Sequence, residues 1–464
     1  MSNIEPYLKY NDSKTSWLGD LPDNWKLYRL KYIFEITKRI IGELGHDVLS
    51  ITQKGIKIKD TESGAGQLSM DYSKYQQVDK GDFAMNHMDL LTGFVDISKY
   101  DGVVSPDYRV FKLIHTESDS NYLLYILQLC YTQKIFFGHG KGVSMLGRWR
   151  LPAENFKNFI IPIPPKEEQI KIAAFLDYKL AKIDRFIRKK KQLIKLLNEQ
   201  KTAIINKAVT KGLNPKAQMK PSGIEWLGDI PEHWEISKIK WLSPVKRGAS
   251  PRPIDNPIYF DDEGEYSWVR IADVTASERY LQKTTQTLSE LGSSLSVIQE
   301  PGDMFLSIAG SVGKPIITKI KCCIHDGFVW FPLLKINKEF MYYIFAGGRA
   351  YLGLGKMGTQ LNLNTDTVGG ITIPLPPNNE INDIVQFLDD ELSSIGKIII
   401  TIEKEITLTQ EYRTALIAEA VTGKIDVREF AIPEEKEGET YEDLEEEINI
   451  AAEDEAEYEI MEEN

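Results

Sequence analysis

The chain has 464 residues and a formal net charge of −12, from 68 acidic and 56 basic side chains. That average hides one end: residues 434–464 carry 16 acidic side chains and one lysine, net −15, whereas the preceding 433 residues carry 55 basic and 52 acidic, net +3. A like-charge block of this kind reads as a disordered, solvated tail, so the acidity does not exclude nucleic acid as a partner of the slightly basic body.

The length suggests roughly two to four domains. Three cysteines, Cys130, Cys322 and Cys323, are too few for a disulfide framework and lack metal-ligand spacing. The first residues contain no apolar leader core, and no run of about 18 apolar residues predicts a membrane-spanning helix. These features predict a cytoplasmic protein with no membrane contact.

A long-period repeat organises the chain. Trp17-Leu18-Gly19-Asp20-Leu21-Pro22-Asp23-Asn24-Trp25 returns as Trp226-Leu227-Gly228-Asp229-Ile230-Pro231-Glu232-His233-Trp234, an offset of 209. Ile160-Ile161-Pro162-Ile163-Pro164-Pro165 returns as Thr372-Ile373-Pro374-Leu375-Pro376-Pro377, and Phe175-Leu176-Asp177 as Phe387-Leu388-Asp389, both offset by 212. So long a period is a duplication of a whole domain with its connector.

Each copy opens with short β-branched and aromatic runs broken by turn residues. Gly102–Phe111 and Tyr266–Ile271 read as strands of a mixed domain. Gly81-Asp82-Phe83 aligns with Gly302-Asp303-Met304 while neighbouring residues differ, so the copies share a fold but present different surfaces.

Each copy closes with a heptad helix. Leu176, Leu180, Ile183, Ile187, Lys190, Ile194, Leu197, Lys201, Ile204 and Ala208 advance by alternating three and four, as do Leu388, Leu392, Ile395, Ile399, Ile402 and Ile406 in the second copy. The proline pairs upstream fit helix starts, and Gly212 and Gly423 mark the ends. The apolar members Leu176, Leu180, Ile183, Ile187, Ile194, Leu197, Leu388, Leu392, Ile395, Ile399, Ile402 and Ile406 are the expected pairing residues. The first helix region, 166–211, carries net +8 and the second, 380–428, net −5, which favours pairing with each other over self-pairing. An antiparallel pair would act as a spacer about 60 Å long at 1.5 Å per residue.

The fold class expected is therefore α+β. It has two mixed α/β recognition domains separated by two long helices that form an antiparallel coiled coil, a pseudo-two-fold repeat. The expected bounds are 1–160 and 214–372 for the domains, 161–213 and 373–430 for the helical spacers, and 431–464 for the tail.

Catalytic motifs are missing. Gly310-Ser311-Val312-Gly313-Lys314 has Pro315 where a phosphate loop needs Ser or Thr, so a glycine-rich turn is the better reading. The six histidines show no ligand spacing. Hydrogen-bond donors, in contrast, stand in turn-like stretches. In the first copy these are Lys54, Asn86, His87, Arg109, Lys141, Arg148 and Arg150; in the second, Lys246, Arg247, Arg252, Arg270, Lys314, Lys356, Gln360, Asn362 and Asn364. Arg, Asn and Gln read guanine and adenine edges in the major groove, and Lys mostly holds phosphates. His87 is expected to be a plain polar loop residue.

The repeated Trp-Leu-Gly-Asp-x-Pro-x-x-Trp motif and the Ile-Pro-x-Pro-Pro leads are joined by the helix ends Lys201 to Pro215 and Tyr412 to Val427. On these residues the chain, from about residue 13 to 430, resembles the specificity subunit of a type I restriction–modification system. The resemblance implies two target-recognition domains, each reading half of a split, asymmetric double-stranded DNA site. It implies spacers that fix the gap and dock two methyltransferase subunits, with two translocase/nuclease subunits joining for cleavage. The chain would then be a non-catalytic subunit of a DNA adenine methyltransferase and type I endonuclease complex. S-adenosylmethionine, ATP and Mg²⁺ would belong to the partner subunits, with none in this chain and no metal site. The alternatives are a specificity subunit of a methylation-only system and a coiled-coil scaffold that does not bind DNA.

Overall fold

The computed structural model describes residues 6–60, 72–142, 149–351, 354 and 363–433. The acidic stretch 434–464 lies outside them. The described residues fall into two compact units, one formed by the chain up to Lys190 together with the part from Lys404 onward, the other by Lys191–Glu403. Each unit therefore holds one copy of the domain, the first half of the helix that follows it, and the second half of the other helix.

The central sheet of the first unit runs in the order Phe34–Thr37, Arg109–Leu113, Phe83–Met85, Val95–Ile97, with every neighbouring pair antiparallel. That of the second unit repeats the order with Lys246–Arg247, Phe328–Trp330, Met304–Ser307 and Pro315–Thr318, again antiparallel, and adds Tyr280–Leu281 parallel to the last. The aligned Gly-Asp pairs form the same turn. Asp82 accepts from the Asp79 amide and Asp303 from the Glu300 amide, both at 3.0 Å, just ahead of the central strands. Two small ribbons are duplicated as well. Lys26–Arg29 pairs with Ile160–Ile163, and Glu235–Lys238 with Thr372–Leu375.

Two sequence expectations are corrected locally. The run Gly102–Phe111 is two strands, Gly102–Val104 and Arg109–Leu113, because Ser105–Tyr108 closes a turn with a 3.0 Å backbone bond. The strand over Tyr266–Ile271 stops at Val269; Arg270 is the N-cap of a helix, Ile271–Ala276, and Asp273 accepts from its amide. Gly310–Lys314 is the turn joining two paired strands, Met304–Ser307 and Pro315–Thr318. Cys322 and Cys323 point to opposite faces of one strand and are fully buried in separate apolar clusters.

The long helices are Lys166–Lys211 and Asn378–Val421, each starting directly after its proline pair. Their ends turn at Gly212 and Gly423, where φ of +68° and +72° is open to glycine at little cost. Both glycines also sit against tryptophan. A Cβ on Gly212 would lie 3.0 Å from the Trp234 ring, and one on Gly423 would lie 3.1 Å from Trp25 and closer still to Pro22. The same tryptophans hold the helix starts: Trp25 Nε1 donates to Glu168 at 2.7 Å, and Trp234 Nε1 donates to Glu380 at 2.9 Å. In each unit one indole thus joins the beginning of one long helix to the end of the other.

The two long helices contact each other within each unit. In the first unit Asp184 pairs with Arg413 at 3.5 Å and Lys190 with Glu405 at 2.9 Å. In the second, Ile205, Ala208 and Val209 share a core with Ile381, Ile384 and Leu388. Leu176, Leu180, Ile183, Ile187, Leu388, Ile395, Ile402 and Ile406 are buried, whereas Ile194, Leu197, Leu392 and Ile399 are half-buried. No helix of the described residues is long and apolar enough to cross a membrane.

Candidate nucleic-acid interface

In the first domain the candidates Asn86, His87, Arg109, Lys141 and Arg150 come together, and Lys54 stands apart. Lys141 and Arg150 exchange two backbone hydrogen bonds, of 2.8 and 3.0 Å, and both side chains are exposed. Trp149 lies between the bridge and the turn below it: its carbonyl accepts from Leu90 at 3.0 Å, and its ring leaves room only for glycine at Gly142, where a Cβ would lie 3.0 Å away. Asn86 is half-buried; its side chain accepts from the Met88 amide at 3.3 Å and its carbonyl from the Tyr131 hydroxyl at 2.8 Å.

Beneath this bridge lie His87 and Arg109, both buried. Arg109 begins the second strand of the four-stranded sheet, paired with Met85 of the next strand. It donates to the Leu151 carbonyl at 2.9 Å and its guanidinium lies 4.9 Å over the Phe156 ring, while its other terminal nitrogen has no partner among the described residues. Burial, with the nearby Arg150 charge, pulls Arg109 down to about 10. Burial and the two arginines push His87 down to about 3, so its imidazole is neutral at neutral pH. His87 stands in a turn, as expected, but is buried rather than exposed. Exposed Lys54 sits in the turn joining Leu49–Thr52 to Gly55–Ile58 and borders a cleft of about 560 Å³ also lined by Asp96, Lys134 and Arg413. Arg148 lies outside the described residues.

In the second domain Asp326 gathers two exposed arginines, Arg252 through its carboxylate and Arg247 through its main-chain carbonyl. Asp326 accepts from Ser250 Oγ at 2.8 Å and Arg252 at 3.1 Å, and its carbonyl accepts from Arg247 Nε at 2.5 Å. The Ser250 hydrogen bond, with the charges of Arg252 and Arg247, holds this carboxyl below its ordinary range despite partial burial. Lys246, exposed beside Arg247 on the edge strand, completes a basic edge. Arg270 and Lys314 lie at opposite ends of the helix Ile271–Ala276. Arg270 bonds Thr285, and Lys314 donates to the Thr275 and Ser277 carbonyls at 3.0 and 2.6 Å. Asn364 caps Thr365–Gly370, accepting from the Asp366 and Thr367 amides at 2.9 Å. Lys356, Gln360 and Asn362 lie outside the described residues.

Sequence reasoning missed Trp149, Ser250 and Asp326. Asp326 stands in a His-Asp-Gly turn between strands, a signal of a loop but not of the arginines that meet there. Exposed arginines held through part of the guanidinium keep other donors for phosphates or base edges. Among the described residues no group of His, Cys, Asp and Glu could hold a metal ion.

The family described as "Type I restriction modification DNA specificity domain" matches residues 22–196 and 231–408, one match per copy of the repeat. The chain belongs to this family. A chain assigned as the MjaX specificity subunit of a type I restriction enzyme, from Methanocaldococcus jannaschii, is 26% identical over 92% of this chain and 99% of its own length. The MjaVIII specificity subunit of the same organism is 26% identical over 77% of this chain and 83% of its own. A chain from a solved structure described by complex assembly and conformational transition of the type I R-M system superposes with a TM-score of 0.66. That match covers 87% of this chain and 99% of that one at 16% identity, and shows the fold. The family assignment read from the repeated tryptophan and proline motifs therefore holds for both copies of this specificity chain.

Proposed function

We propose that the specificity chain reads DNA for a type I restriction–modification complex, each domain recognising one half of a split, asymmetric site. The observation that carries this reading is a common strand order offering different donors. Lys54, Lys141 and Arg150 are exposed on the first copy, and Lys246, Arg247 and Arg252 on the second. Two readers on one scaffold recognise two different half-sites, and the spacing between half-sites is a geometric property of the protein.

The recognition domains are 1–160 and 214–372, and the spacers 161–213 and 373–430. The spacers form an antiparallel coiled coil, supported by ion pairs whose residue numbers rise on one helix as they fall on the other, 184 with 413 and 190 with 405. They set the gap and carry two methyltransferase subunits, with two translocase/nuclease subunits joining for cleavage. The chain contributes no catalytic group; adenine methylation and strand cleavage belong to the partners. Buried His87 and Arg109 brace the bridge that carries Lys141 and Arg150, and Asp326 orders Arg247 and Arg252.

Exchange of residues 235–372 for the corresponding stretch of another specificity chain tests the division of labour. Methylated-base mapping should show one half of the motif replaced, with the other half and the gap kept. A motif changed in both halves would overturn the reading.

A further inference from the structure

After the second long helix the chain runs back along the start of the first as a short strap. Val427 is buried, and Lys171 Nζ donates to the Arg428 carbonyl at 2.6 Å. Phe430 then stands edge-on to Phe175, with ring centroids 4.8 Å apart. The Tyr178 ring lies 6.0 Å from Phe430, and Lys179 Nζ 5.8 Å. Contacts with 171, then 175, then 178 and 179 give the strap a direction, toward the middle of the first helix. All of these residues belong to the first unit.

Beyond that anchor the same helix face turns basic. At about 3.6 residues per turn, Lys182, Arg185 and Lys189 continue the row of Lys171, Phe175 and Tyr178. The pairing residues Leu176, Leu180, Ile183 and Ile187 stand about a third of a turn away, and Asp177 and Asp184 fall outside the row. Lys182 reaches over the Tyr178 ring at 4.7 Å, and the Arg185 and Lys189 residues are exposed. The other helix lacks this feature. At the 212 offset Lys171, Lys179, Lys182 and Lys189 become Asp383, Glu391, Ser394 and Thr401, and only Lys397, matching Arg185, keeps the charge. Phe387, the counterpart of Phe175, is 37% exposed, whereas Phe175 against Phe430 is 1% exposed. A basic row present in one copy alone is not required to build the repeated scaffold.

We propose that the acidic segment 434–464 docks along this row of the first long helix and shields it from nucleic acid. Position and charge both point to that occupant. Glu434 follows Phe430 by four residues, a reach of up to about 13 Å, and Lys182 to Lys189 lie about 5 to 15 Å beyond Lys179 along the helix. With 16 acidic side chains and one lysine, the segment more than neutralises the row. Left open, such a row holds any duplex through its phosphates, without regard to sequence. A polyanion attached to the same chain competes at high effective concentration, so affinity for arbitrary sequence stays low. This shielding is independent of which motif the two domains read.

The test places dyes on the full chain at Ala181→Cys and Ala456→Cys, the three native cysteines being buried. Energy transfer should be high at about 50 mM salt and fall at about 500 mM, where charge is screened. Lys182→Glu, Arg185→Glu and Lys189→Glu together should lower it at both. Deleting residues 434–464 should raise affinity for a duplex of arbitrary sequence roughly ten-fold at low salt and steepen the salt slope by about three, near 0.9 for each cation released to a phosphate. In the triple variant the same deletion should change binding little. Glutamine at the three positions should give the same pattern in smaller measure, which keeps the result readable if glutamate unfolds the helix. An equal gain on deletion in both backgrounds would mean repulsion by a solvated segment and would overturn the proposal. So would low transfer at every salt concentration, or transfer lost on dilution, which would place the segment on a second copy.

Discussion

Glu168, in the first turn of the first long helix, gathers three donors of the first unit. It is buried and accepts from the Tyr7 hydroxyl at 2.5 Å, Trp25 Nε1 at 2.7 Å and Asn24 Nδ2 at 3.2 Å. Glu168→Ala leaves these buried donors unpaired and should cost about 2–3 kcal/mol in denaturant unfolding followed by tryptophan fluorescence. Its counterpart Glu380 accepts from Trp234 and His233 in a more exposed setting, so Glu380→Ala should cost about half as much. His87 sets a pH dependence. Its folded value, near 3, lies below the ordinary 6.5, so the unfolded chain takes up a proton first as pH falls. Stability from this group is full above pH 6.5 and drains away toward pH 3, by roughly 3 kcal/mol at pH 4. His87→Leu should remove that part of the slope in unfolding curves taken from pH 7 to pH 4, and identical slopes would contradict the account.

The long helices show how far sequence spacing reaches. Proline pairs, helical periodicity and terminal glycines locate both helices, since these are local rules of backbone and spacing. Depth of burial is not local. Ile194 and Ile399 hold the same heptad role as Leu176 and Leu388 yet are half-buried, because what covers them depends on the domains packed around each helix section. Leu388→Ala, fully buried, should therefore cost about 3 kcal/mol, and Ile194→Ala under about 1 kcal/mol, in the same unfolding assay. Equal losses would mean a uniform coiled-coil seam. The donors were legible in the same partial way. Residue type marked Arg109 and Asn364, but Arg109 is buried against the Leu151 carbonyl and the Phe156 ring, and Asn364 is engaged as a helix cap. Asp326 escaped notice because only the fold brings it to Arg247 and Arg252, some 75 residues away in sequence.

Over the whole chain, duplication is what ties sequence to function. Each copy contributes the same four-strand order, the same Gly-Asp turn and the same tryptophan–glutamate clasp, and of these the clasp lies in the motifs that repeat most closely in sequence. The exposed donors differ between copies, as they must if the halves of the DNA site differ. Net charge belongs to this scale too: the described body is slightly basic, and the net −15 of residues 434–464 lies beyond it. Genome-wide mapping of methylated bases, with the gene intact and deleted in cells that keep the partner subunits, tests the central claim most directly. The account predicts that methylation disappears from one bipartite, asymmetric motif and from no other. An unchanged set of methylated motifs would contradict it.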